Sequence, residues 1–274
     1  MDINKRQLLW AGIILAGIVL AMVWLSKYVN APEAALPSGA PGAATSTARE
    51  TPSSPSAAPS APSAPAPAKP FPINAADNIA DWSFAGPYAA DPALVAQANA
   101  DVSRLSGLIG SGKYDDYDIY DGIANDYANL GNGAEAYRNY DRAIAIHPSK
   151  GLAYANLGHF FGLLGAYYTA ADAYAKAVAV EPAMLEYHLE RLTYLTAQFP
   201  DDKVRITSAL ADASKQFGDT APVLAIEARW LTSVGRYADA IKAWQTVKTL
   251  SPGQDVAPVN AAIASLQAKL QAQQ

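Results

Sequence analysis

The chain has 274 residues, enough for one ordinary domain with extensions. It contains no cysteine, which excludes disulfides, thiolate metal sites, a cysteine nucleophile and a lipidated cysteine. Residues 1–75 carry five basic and three acidic side chains, so the overall charge of −5 leaves −7 on the remainder. This acidic balance argues against a nucleic-acid partner, which would need clustered Lys and Arg.

The first predicted element is a membrane helix. Residues 8–25 are uncharged and apolar, and at about 1.5 Å per residue they span roughly 27 Å, close to the bilayer hydrocarbon core. Two bases precede this stretch and one follows it, which predicts a cytoplasmic N-terminus. We therefore expect an anchor within residues 1–28 of a single-pass cell (inner) membrane protein, with the rest extracytoplasmic. A signal peptide cleaved near residues 29–31 is the alternative.

A linker follows over residues 29–75. From Ala31 to Pro70, all but five positions are Ala, Pro, Ser, Gly or Thr, and ten are Pro. Such a segment buries too little apolar surface to fold, and its prolines favour an extended, semi-rigid tether. A PxxP docking site is the alternative. Residues 71–90 regain aromatics, and we expect them to pack irregularly against the folded domain through Trp82 and Phe84.

Internal periodicity is the strongest signal in the remaining chain. A segment ending at Pro148 superposes on a segment ending at Pro182. The pattern returns in a segment ending at Pro252. The distance from Pro182 to Pro252 is a little more than twice the distance from Pro148 to Pro182, so a third copy with a small insertion lies between. The positions that recur are Gly131, Gly165 and Gly235; Ala136, Ala170 and Ala240; and Tyr140, Tyr174 and Trp244.

The spacing predicts a pair of helices in each copy. The recurring glycines lie between the two helices, where a positive φ is often needed, and the prolines end the second helix. Small residues, including Gly158, permit close helix contacts, and the aromatics fill the space between neighbouring copies. A further helix within 255–271 and one from Asp91 to about Ile109 are expected to cap the two ends.

These recurring positions resemble the tetratricopeptide-repeat (TPR) family, over residues 117–252. The resemblance implies an all-α fold, a TPR helical-hairpin solenoid of about four repeats plus capping helices, occupying residues 76–274. The repeats are expected near 117–150, 151–184, 185–220 and 221–254, with the register of the third uncertain by one or two residues.

The resemblance also implies a groove for partner peptides, lined by the first helix of each repeat. The expected groove residues are Asp118, Asp121, Asn125, Asn129, Leu152, Asn156, His159, Leu163, Ile226 and Arg229. A groove Asn can donate to and accept from a peptide backbone, so Asn125 and Asn156 are the foremost candidates, with solvated surface residues as the alternative. Asp121 stands where a carboxylate clamp would present Lys, so a clamp for peptide C-termini is not expected.

Other kinds of site are not predicted. The acids at 115, 116, 118 and 121 lack the calcium-loop spacing, and favourable helix N-termini or contact with a basic partner account for them. The three histidines lack zinc spacing, and no nucleotide-binding or nucleophile motif occurs. We therefore expect no catalytic residues, metal or cofactor.

The expected function is that of a membrane-tethered scaffold that binds peptide or protein partners in an extracytoplasmic envelope assembly. A more specific alternative resembles the membrane-anchored TPR subunits of cytochrome c maturation, which hold unfolded substrate. An enzyme with accessory TPR repeats is a remote alternative, because no segment large enough for a catalytic domain is left over. The expected oligomeric state is left open.

Overall fold

The computed structural model describes residues 70–252 and 255–273. This part of the chain is all-helical, with ten α-helices, no β-strand and one isolated bridge between Ser83 and Asn132. The helices are α1 (Pro92–Ser106), α2 (Asp116–Leu130), α3 (Gly133–Ile146), α4 (Leu152–Leu164), α5 (Tyr167–Val180), α6 (Leu185–Gln198), α7 (Lys203–Phe217), α8 (Ala221–Ser233), α9 (Tyr237–Leu250) and α10 (Ala257–Gln271).

The proposed anchor at residues 8–25 and the linker up to residue 69 lie outside the described residues. None of the ten described helices has the length and apolar character needed to cross a bilayer.

Each helix packs on the next one in the chain, and contacts also join α2 to α4 and α6 to α8. The closest partners are α2 with α3, α4 with α5, and α8 with α9, the helices that the sequence pairs. Contacts confined to neighbours along the chain are typical of stacked helical units, so this packing is consistent with a helical repeat.

Left-handed glycines end the first helix of three pairs. Gly131, Gly165 and Gly235 have φ of 80°, 84° and 77°. Gly131 and Gly165 donate backbone hydrogen bonds to carbonyls of the helix that each ends. A side chain would strain this backbone, so the predicted role of these glycines is confirmed. The second helices end just before Pro148, Pro182 and Pro252, also as predicted.

The third pair departs from its neighbours at its turn. Residues 199–202 join α6 to α7, whereas the shorter turns 131–132 and 165–166 join α2 to α3 and α4 to α5. The longer turn accounts for the predicted insertion.

A recurring contact fixes the register of α6. The Tyr154 hydroxyl lies 3.2 Å from the Pro148 carbonyl oxygen, and His188 Nε2 lies 3.0 Å from the Pro182 carbonyl oxygen. His188 therefore holds the position of Tyr154, with the same interval between them as between the two prolines.

Small and aromatic side chains form the core between units, as predicted. Ala136, Ala170 and Ala240 are fully buried, and a Cβ added to Gly158 would lie 2.9 Å from the Tyr174 ring. Burying such tightly fitted surfaces supplies most of the folding free energy of a helical stack.

An extended arm, residues 70–90, packs across α3, α4 and α5. The Trp82 ring centroid lies 4.9 Å from that of Tyr137, and the Trp82 carbonyl accepts a hydrogen bond of 2.8 Å from the Gly133 amide at the start of α3. The Phe84 ring centroid lies 6.2 Å from that of Phe160. The expected packing through Trp82 and Phe84 is confirmed.

The arm packs against the helices from Phe71 onward, where aromatic residues return in the sequence. Phe71 packs edge-on against Tyr154, and its amide donates to Asp141 Oδ1 at 2.9 Å. Residues 71–75, assigned to the linker, therefore belong to the packed part of the chain. The N-cap residue of α5, Ala166, has no side chain that could cap the helix, and Asp77 of the arm caps it instead. The Asp77 carboxylate accepts from the amides of Tyr168 at 3.2 Å and Thr169 at 2.6 Å.

The outer helices follow their predictions closely. Asp91 caps α1 by accepting from the amides of Ala93 and Leu94, and the helix ends at Ser106, slightly before the predicted end. At the other end α10 packs on α9 and buries Leu266.

Candidate functional site

Asp121 on α2 is the centre of a polar cluster that joins two successive first helices. Its carboxylate accepts from Asn156 Nδ2 on α4 at 3.1 and 2.9 Å, and from Asn125 Nδ2 at 3.3 Å. Tyr140 on α3 completes the cluster by donating its hydroxyl hydrogen to Asn125 Oδ1 at 2.8 Å. These four side chains therefore position one another.

The two asparagines of the cluster differ in whether their side chains can still hydrogen-bond to a partner. Asn125 also donates to the Asp121 carbonyl oxygen at 3.0 Å, so its amide oxygen and nitrogen are both engaged inside the protein. Asn125 is thus a structural residue. Asn156 turns its nitrogen towards Asp121, and no other hydrogen bond of its side chain occurs among the described residues. Its oxygen remains able to accept from a partner.

The charge on Asp121 is unfavourable where it lies. The residue is only 6% exposed, and burial raises the pKa of its carboxyl to about 6, while the hydrogen bond from Asn156 opposes the rise. Asp118, one turn earlier, raises the pKa further through charge repulsion. The two amide donors are what allow a carboxylate to be held at this position.

The remaining predicted residues of α2 and α4 differ in exposure. Asp118, His159 and Leu152 are exposed, and Asn129 and Leu163 are half-buried. His159 reaches solvent, yet the surrounding protein still lowers the pKa of its imidazole by desolvation.

Two predicted residues lie in the last repeat. Ile226 is buried in the core with only 9% exposure, so it packs inside the domain and presents little surface to a partner. The helical register predicts it to face the groove, but Ile226 belongs to a buried apolar cluster that also contains Leu192 and Leu195 of α6. Arg229 is exposed, and its guanidinium lies 5.9 Å from the centre of the Trp244 ring.

The sequence analysis missed the residues of α6. The contact shared by Tyr154 and His188 aligns α6 with α4. Glu190 therefore holds the position of Asn156, and Glu186 the position of Leu152. Both are exposed, and desolvation by the surrounding protein raises the pKa of Glu190 to about 7, with a further contribution from Glu186.

We call the surface formed by equivalent exposed or half-buried residues of α2, α4 and α6 the first-helix face, and we leave out Asn125 because its amide is engaged within the protein. It consists of Asp118, Gly122, Asn129, Leu152, Asn156, His159, Leu163, Glu186, Glu190, Thr193 and Ala197.

The first-helix face is acidic. It carries three exposed carboxylates and no Lys or Arg, and Asp121 lies directly beneath it. Within the described ranges, no group of three or more His, Asp or Glu side chains is arranged to hold a metal ion. The arrangement offers a hydrogen-bond acceptor flanked by negative charge and by the apolar side chains of Leu152 and Leu163.

No protein-family model matches this chain, and no curated protein matches it.

Proposed function

We propose that the chain is a TPR-type scaffold that binds an extended segment of a partner protein on the first-helix face. The observation that carries this proposal is the fixed amide of Asn156. Asp121 holds the amide nitrogen of this half-buried side chain, and no hydrogen bond to the amide oxygen occurs among the described residues. A backbone N–H of a partner is the natural donor to this oxygen.

The charge on the face defines the partner further. Asp118, Glu186 and Glu190 favour a segment that carries Lys or Arg, and they disfavour an acidic one. An extended segment fits because its backbone donors are free, whereas a helix has already used them.

Assignment to the TPR type rests on repeated structural details. Positions 131, 165 and 235 share a left-handed glycine turn, and positions 136, 170 and 240 share a fully buried alanine. The equivalent carbonyl contacts of Tyr154 and His188 add a third recurring feature. These features support the family resemblance of the sequence, and the helix packing is compatible with it.

We further propose that the domain is tethered to a membrane and works in an extracytoplasmic envelope assembly. The support is the apolar stretch at residues 8–25, the bases before it and the Pro-rich tether of residues 31–70. A tether fully extended at about 3.1 Å per residue reaches roughly 120 Å, so the domain could meet partners well away from the bilayer.

The test is a selection of peptides from a random display library on the full-length protein in detergent, followed by affinity measurement. We expect the selected peptides to be basic. We also expect Asn156→Ala and Glu190→Gln to weaken their binding by about tenfold each. The first removes a hydrogen bond to the peptide backbone, and the second removes a charge-assisted contact with a basic side chain.

Asp201→Asn is the matched control, because it removes the same charge from an exposed residue in the α6–α7 turn. Its affinity should equal that of the unchanged protein. Selection of acidic peptides, or equal loss in Asp201→Asn and Glu190→Gln, would rule out the first-helix face as the binding surface.

A further inference from the structure

A second site lies at the C-terminal end of the domain, where α8, α9 and α10 meet. A cavity of about 290 Å³ opens there between Arg229 on α8, Trp244 on α9 and Lys269 on α10. Thr232 and Ser265 add hydroxyl groups to its lining, and Ala262 and Leu266 add apolar surface. We call this cavity the terminal pocket.

Comparison with the first repeat shows what is different about the terminal pocket. The left-handed Gly131 and Gly235 align the first and last repeats, and in this alignment Arg229 corresponds to Asn125 and Trp244 to Tyr140. In the first repeat, the two side chains are hydrogen-bonded to each other within the polar cluster.

The carboxylate of that cluster has no counterpart in the last repeat. The residue that corresponds to Asp121 is Ala225, which is buried and uncharged. A cationic guanidinium is therefore present where the first repeat has a neutral amide, and the acid that would neutralise it is replaced by a methyl group. The side chain of Arg229 lies against the Trp244 ring instead, with 5.9 Å from guanidinium carbon to ring centre.

Both cations of the terminal pocket lack an acidic partner within the described part of the chain. The ion pairs found there include neither Arg229 nor Lys269. Lys269 Nζ instead lies 5.7 Å from the centre of the Tyr237 ring. Two uncompensated cations in the lining of one cavity attract an anion, and the Ser265 hydroxyl beside them can donate a hydrogen bond to it. The Thr232 hydroxyl already donates to the Ala228 carbonyl oxygen at 2.7 Å.

We infer that the terminal pocket binds a carboxylate attached to an apolar group. Arg229 and Lys269 bind the carboxylate, and Trp244 and Leu266 contact the apolar group. As part of a longer ligand, the carboxylate is either the C-terminus of the bound segment or an Asp or Glu side chain. This inference extends the proposed function, on which its biological meaning rests, but binding by the pocket can be measured with a small molecule alone.

The experiment uses ¹⁹F NMR of the full-length protein in detergent with 5-fluorotryptophan at its five tryptophans. Trp244→Phe identifies the Trp244 resonance by its disappearance. The probes are N-acetyl-leucine, its primary amide, and N-acetyl-aspartic acid α-amide. We expect N-acetyl-leucine to shift the Trp244 resonance in a saturable manner and the leucine amide to have no effect.

The third probe separates the two sources of carboxylate. A stronger response to N-acetyl-leucine assigns the pocket to a C-terminus, and a stronger response to the aspartic acid derivative assigns it to an acidic side chain. Either response supports a carboxylate site. Equal shifts with N-acetyl-leucine and its amide, or no shift with either carboxylate, would overturn the inference.

Variants of Arg229 and Lys269 test whether these two cations bind the carboxylate. Arg229→Gln combined with Lys269→Gln should weaken binding of the responding carboxylate by about tenfold or more. Lys242→Gln is the control, because it removes a charge from the exposed side of α9 outside the pocket, and its binding should be unchanged. Equal weakening by the control would show non-specific charge attraction. Failure here, with basic peptides still bound at the first-helix face, would refute the pocket and leave the proposed function intact.

Discussion

The side-chain amide of Asn156 lies 2.9 and 3.1 Å from the two carboxylate oxygens of Asp121, and this contact joins the first helices of two successive repeats. The same contact satisfies a buried carboxylate and holds the amide whose oxygen we propose as the acceptor for a partner. We therefore expect stability and binding to be coupled at this position, which a purely solvated Asn would not allow.

Asn156→Ala should lower the free energy of unfolding by about 1–3 kcal/mol, because it removes a donor from a buried carboxylate. Urea unfolding of the full-length protein in detergent, followed by circular dichroism, measures the change. Asn129→Ala is the control, since no hydrogen bond of its half-buried side chain occurs among the described residues. Equal stability of the two variants would show that the contact with Asp121 contributes nothing.

Ala170→Leu should cost about 1–3 kcal/mol by overpacking a fully buried contact of α5. Ala179 lies on the exposed side of the same helix, so Ala179→Leu should leave the melting temperature nearly unchanged. Thermal unfolding followed by circular dichroism compares the two. A melting temperature for Ala170→Leu equal to that of the control would contradict the repeat register.

Asp77→Ala should lower stability by about 0.5–2 kcal/mol, because the arm would no longer cap α5. The control is Asp81→Ala in the same arm, since the Asp81 side chain accepts from the Ser83 amide within the arm itself. Urea unfolding measures both changes. A smaller loss for Asp77→Ala than for Asp81→Ala would mean that the arm does not stabilise α5.

Stability should fall as the pH rises from about 4 to about 7. Desolvation by the surrounding protein raises the pKa of Asp121, Asp126 and Asp141 to about 6 and that of the exposed Glu190 to about 7, all above the values of an unfolded chain. The folded protein therefore binds more protons than the unfolded chain over this range, and raising the pH favours unfolding. Melting temperatures at pH 5 and pH 8 measure the effect, and the value at pH 5 should be higher.

Asp141→Asn isolates one of these groups. Its amide oxygen can still accept from the Phe71 backbone amide, but it no longer titrates. The variant should therefore show a smaller difference between pH 5 and pH 8 than the unchanged protein. An unchanged difference would exclude Asp141 from the effect, and a higher melting temperature at pH 8 would contradict the raised pKa values as a group.

The helical pairs could be predicted from the sequence because their turns depend on local chemistry. Gly131, Gly165 and Gly235 have the left-handed backbone that their spacing predicts, and the second helices end before the recurring prolines. Such features need no knowledge of distant contacts. The third pair lacks a turn glycine and has a longer connection between its helices, so the register of α6 could not be determined from the repeat spacing. For this reason Glu186 and Glu190 were missed.

Long-range contacts could not be predicted in the same way. Asp77 lies before α1 in the chain yet caps α5, and no local pattern marks it for that role. Asn125 has a side chain suited to binding a peptide, but its hydrogen bond with the Tyr140 hydroxyl depends on how α2 and α3 pack. The burial of Ile226 likewise depends on tertiary packing, because its cluster includes Leu192 and Leu195 of another helix.

We propose that the first-helix face binds a partner, and photo-crosslinking in the cell that makes the protein tests this binding. The crosslinker p-benzoylphenylalanine would replace His159 or Thr193 on the face, or Val204 on α7, which is 81% exposed and lies outside the face. We predict that positions 159 and 193 crosslink to the same envelope protein and that position 204 does not. Equal crosslinking from position 204, or none from the face, would contradict the claim.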